Sequence, residues 1–79
     1  MQADLKSIKH LLETSIYFTH CNVKAYIEPS ISSAVFVINV SGYRHIFKAP
    51  FGLLEVTSDE ALADIIITEV LDWRSKYEA

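Results

Sequence analysis

The sequence predicts an α+β fold in the order α-β-β-β-α. Three observations carry that expectation. An N-terminal segment repeats its apolar residues every three or four positions, a middle segment alternates with period two between turn signals, and a C-terminal segment returns to helical spacing. The expected product is a three-stranded antiparallel sheet, with residues 53–56 as an optional short fourth strand, packed by two helices. The 79 residues make one domain, 1–79.

The first helix is expected from Asp4 to about His20, with Leu5, Ile8, Leu12 and Ile16 along one stripe and Leu11 beside it. Lys6, Lys9, His10, Glu13 and Thr14 occupy its other side. Asn22 ends it, and Val23, Ala25 and Ile27 then alternate with Lys24, Tyr26 and Glu28 as a half-buried strand would. Pro29-Ser30 breaks that strand, because proline has no N–H for a ladder. Ala34 to Val40 is apolar at nearly every position and β-branched, which predicts a central strand covered on both sides, at least in part. Ser41-Gly42 supplies a hairpin turn, and Tyr43 to Ala49 returns as the third strand. Pro50-Phe51-Gly52 is a further turn. Thr57-Ser58-Asp59-Glu60 has the form of a capping box, with Thr57 as N-cap and Glu60 reaching back to it. The second helix follows and runs to about Tyr77.

Composition narrows the function classes. At 51% hydrophobic residues with two Gly and two Pro, the chain opposes disorder and holds an apolar core rich for its size. Cys21 is the only cysteine, so no disulfide forms within the chain. The first 20 residues have no continuous apolar run of the kind a signal peptide needs, and no stretch is long enough to span a membrane. The expected address is the cytoplasm. The charge is uneven: residues 1–54 sum to +2, whereas residues 55–79 sum to −5. Without a basic stripe along the sequence, the pattern argues against nucleic acid as partner.

No catalytic, metal or cofactor motif stands out. His10 and His20 are ten positions apart, and a helical metal pair needs three or four. Cys21 fits a small apolar residue at a helix end better than a nucleophile. His45 is the one candidate for chemistry, set between Arg44 and Ile46 with Lys48 nearby. Over residues 42–56 the segment Gly42-Tyr43-Arg44-His45 resembles the HicA-type mRNA interferase toxins, which place a catalytic His just after a Gly at a strand turn. That resemblance implies ribonuclease activity with His45 as catalytic residue, assisted by Arg44 or Lys48. The element order is also similar to the double-stranded-RNA-binding domain, whose lysines at the start of the last helix read phosphates. Here Asp59 and Glu60 stand at that position, so the RNA function does not carry over.

The C-terminal helix favours a different role. Leu62, Ala63, Ile66, Val70, Trp73 and Tyr77 make one apolar face, Ile67 and Leu71 extend its shoulder, and Ile65 lies on the other flank. Glu60, Asp64, Thr68 and Asp72 recur at intervals of four as an acidic outer stripe. The leading expectation is a non-catalytic domain that docks on a larger protein as inhibitor, immunity factor or adaptor through Asp64, Ile67, Thr68, Leu71 and Asp72. In size, acidity and element order it is similar to small phage-encoded anti-defence proteins. The alternatives are the ribonuclease and a homodimer joined along the same helix.

Overall fold

The computed structural model describes residues 4–18 and 20–78. Helix α1 (Leu5–Glu13) leads into strand β1 (Cys21–Glu28), a 3-10 turn (Pro29–Ile31), strands β2 (Ser33–Val40) and β3 (Tyr43–Pro50), a short helix α2 (Phe51–Val56) and a long helix α3 (Asp59–Glu78). The sheet is an antiparallel meander in the order β1-β2-β3, flanked by helices before and after. Among the described residues, no helix is long and apolar enough to cross a membrane.

Helix α1 begins where Asp4 caps it, its Oδ1 accepting the Lys6 N–H at 3.0 Å. It stops well short of His20. Thr14 turns both its N–H and its hydroxyl onto the His10 carbonyl, at 3.0 and 2.8 Å. Ser15 Oγ then accepts the Tyr17 N–H at 3.2 Å, a local bond that competes with helix continuation. The bend lets Phe18 enter the core and leaves Ile16, expected on the buried stripe, 90% exposed. Glu13 bridges onward by accepting the Val23 N–H at 2.9 Å, occupying part of the open edge of β1.

Register fixes the two faces of the sheet. Val23 pairs with Ile38 and Ala25 with Phe36 across β1–β2, while Phe36 pairs with Phe47 and Ala34 with Ala49 across β2–β3. These side chains share a face with Ile8 and Leu12 of α1, Leu54 of α2, and Leu62, Ala63, Ile66 and Val70 of α3 in one core cluster. The helices therefore cover one side of the sheet. The hairpin joining β2 and β3 is tight because Ser41 and Gly42 both take positive φ, 50° and 86°, the geometry that matches strand twist.

Two further expectations need correction. Residues 53–56 are neither strand nor loop: with Phe51 and Gly52 they form α2, which buries Leu54 at the end of the sheet. Pro50 closes the ladder opposite Ser33, and a helical turn there satisfies the backbone without another strand. The capping box does not form on Thr57. Its hydroxyl donates to the Leu53 carbonyl at 2.6 Å and closes α2, so Ser58 caps α3 instead, its Oγ accepting the Ala61 N–H at 3.1 Å. Strand β2 is covered in part on both sides, as expected, with its core face fully buried. Its other face carries Val35, which is buried but lies outside the core cluster, and the half-buried Val37.

Candidate interaction surfaces

The acidic stripe of α3 is solvent-exposed at Glu60, Asp64, Thr68 and Asp72. Asp72 holds Lys76 at 3.2 Å one turn on, an exposed pair of small energetic weight. Ile67 and Leu71 lie on the α1 side of this stripe, half-buried against the core. Asp64 and Ile67 share a groove of about 300 Å³ with Leu11, Thr14, Ser15 and Tyr17 from the end of α1. Thr68, Leu71 and Asp72 do not line it. The expected contact set thus divides, with two residues in the groove, two exposed beyond it and Leu71 packed inward. A second hollow of about 380 Å³ continues along α1, between Lys6 and His10 on one side and Asp59 and Glu60 on the other. The backbone N–H of Asp4 donates to Asp59 Oδ1 at 2.7 Å and ties the two helix starts together.

The apolar surplus of α3 is thus largely met within the chain. Ile67 faces α1, while Ile65 remains 42% exposed on the opposite flank. Trp73 packs toward β3. Tyr77, expected on the same face, has its side chain outside the described residues.

His45 sits under α3. Its Nε2 lies 3.0 Å from Glu69 Oε2, and its ring is 5.3 Å from Trp73, tilted at 48°. Tyr43 meets the same indole edge-on at 6.1 Å. Arg44 and Lys48 alternate to the other side of β3, so the structure separates them from His45 by the thickness of the sheet. The geometry makes His45 a packed bridge between β3 and α3, on the opposite side of the strand from Arg44 and Lys48.

Cys21 is half-buried at the start of β1. Burial pushes its thiol above the ordinary value of 9.0, and the Glu13 carboxylate adds to that rise, so the thiolate is scarce near neutrality. Among the described residues, no group of three or more His, Cys, Asp or Glu side chains is placed to hold a metal ion.

A surface that the linear charge pattern hides becomes visible on the uncovered side of the sheet. Lys24, Tyr26, Arg44, Ile46 and Lys48 all stand exposed there. Strand alternation alone could have grouped Arg44, Ile46 and Lys48; adding Lys24 and Tyr26 required the β1–β2–β3 register.

No protein-family model, curated protein or solved structure matches the chain.

Proposed function

We propose that this chain is a non-catalytic interaction domain that docks on a larger protein as an inhibitor, immunity factor or adaptor. The observation that carries the reading is the groove between α1 and α3. Leu11, Ala63 and Ile67 supply its apolar lining, Glu60 and Asp64 its acidic wall, and the exposed Tyr17 its rim. An apolar centre with a charged margin suits a basic, amphipathic segment of a partner, where charge guides encounter and the apolar lining holds the contact. The engagement of His45 by Glu69 and Trp73, away from Arg44 and Lys48, weighs for binding over ribonuclease chemistry.

The test is a comparison of variants in partner capture. Asp64→Lys combined with Tyr17→Ala should weaken a partner recovered by the wild-type chain by at least about tenfold, while His45→Ala should leave it unchanged. Equal recovery by the groove variant would exclude this surface. RNA cleavage lost in His45→Ala would establish the enzyme instead.

A further inference from the structure

The uncovered face of the sheet has a chemistry opposite to that of the rest of the molecule. Its charged residues are Lys24, Arg44, Lys48 and Glu28, a formal +2, against −5 for all other positions of the chain. The cations are not scattered. In register, one row across the sheet reads Lys24, Val37, Ile46, and the next reads Tyr26, Val35, Lys48. Each row places a cation on one edge strand, a valine in the middle and a large apolar residue on the other edge, in reversed order. Asn22, Asn39 and Arg44 complete a polar row at one end. Tyr26 is 49% exposed and Ile46 50% exposed, yet Val35 between them is only 4% exposed. The result is an apolar centre with a cation on each edge, Lys24 on β1 and Arg44 and Lys48 on β3, and with Glu28 at the far end of the β1 edge.

Dimensions select the occupant. Three strands spaced about 4.8 Å apart make a platform about 10 Å across, close to the width of one α-helix. The eight residues of each strand extend it for about 27 Å, enough for several helical turns. A helix laid on the open face would add a third layer to the two already present. The cations on both edges require acids on both flanks of that helix. With one tyrosine, on edge strand β1, and a floor of aliphatic side chains, the face lacks the successive stacking platforms that single-stranded nucleic acid uses.

We infer that the open sheet face binds an acidic amphipathic helix of a partner protein, with its apolar stripe over Tyr26, Val37 and Ile46 and its carboxylates against Lys24, Arg44 and Lys48. This inference is independent of the α1–α3 groove, and either surface can fail without the other. The small area marks a weak, salt-sensitive contact.

The probe is a synthetic helical peptide of about 18 residues, leucine along one face and glutamate on both flanks, added to the isotope-labelled full chain. The expected result is amide and methyl shifts confined to the outer face around Lys24, Tyr26, Val37, Arg44, Ile46 and Lys48. Affinity should fall at least about tenfold in Lys24→Glu combined with Lys48→Glu, and a lysine-flanked peptide should not bind. Both lysines are exposed, so the variant keeps its fold, and the wild-type footprint is a readout that needs no variant. Shifts elsewhere, equal binding of the lysine-flanked peptide, or tighter binding of oligo-dT would overturn the inference. So would concentration-dependent shifts at the same residues without peptide, which would identify the occupant as a second copy.

Discussion

Deleting the same atoms from the two faces of the sheet should have very different consequences. Ile38 on β2 is fully buried beneath the helices, whereas Ile46 on β3 points to the opposite face and is half-exposed. Ile→Ala removes three methylene equivalents, worth about 2.4 kcal/mol of transfer free energy when fully buried. At Ile38 the rigid surroundings of Phe36, Leu62 and Ile66 leave a cavity, raising the loss to about 3–5 kcal/mol. At Ile46 only half of the transfer is at stake and solvent fills the space, so the loss is about 1 kcal/mol. A domain of this size holds about 4–12 kcal/mol in total by the usual per-residue scale, and each kcal/mol moves Tm by about 4–8 °C. Ile38→Ala should therefore melt at least about 12 °C lower, and Ile46→Ala about 4–8 °C lower. Urea titration with Trp73 fluorescence reads the free energies directly. Equal losses at the two positions would refute a sheet covered on one face.

Other consequences follow from the geometry. Ser58→Ala should cost about 1 kcal/mol by chemical denaturation as the cap of α3, and Glu60→Gln almost nothing; the reverse order would restore Thr57 and Glu60 as the capping pair. His45→Ala should change Trp73 emission and lower stability by about 1–2 kcal/mol, through lost packing and the lost bond to Glu69. Because the folded state holds the Cys21 thiol above 9.0, its contribution to stability is full below that pH and declines as pH rises through the folded value. Wild type should therefore lose more Tm between neutral pH and the alkaline range than Cys21→Ala, and parallel curves would contradict the shielded thiol.

Helices, strands and their order were legible in the sequence because each rests on a strong periodic signal: Leu5-Ile8-Leu12 for α1, Val23-Ala25 against Lys24-Tyr26 for β1, and the Leu62-Ile66-Val70 line for α3. What escaped was decided by competition among neighbours. Ile16 continues the α1 stripe by spacing, but Ser15 and the burial of Phe18 bend the chain away. Thr57 and Ser58 are both competent caps, and the nearness of the Leu53 carbonyl assigns Thr57 to α2. Leu53 and Leu54 have no period of their own, so their helical turn is set by the end of the sheet. Charge showed the same limit. Summed along the chain, Lys24, Arg44 and Lys48 vanish into a mild balance; sorted by sheet face, they form a patch.

The molecule presents an uncovered cationic, apolar sheet face opposite the acidic helix α3. Paramagnetic relaxation of methyl protons by small soluble nitroxides, one anionic and one cationic, measures exposure and local potential together. The anionic probe should relax Ile46 and the Val37 methyls several-fold more than the cationic one, with Ile65 on α3 showing the opposite preference and Ile38 protected from both. If Ile46 is shielded as well as Ile38, or if both probes act on it equally, the two-faced molecule described here does not exist.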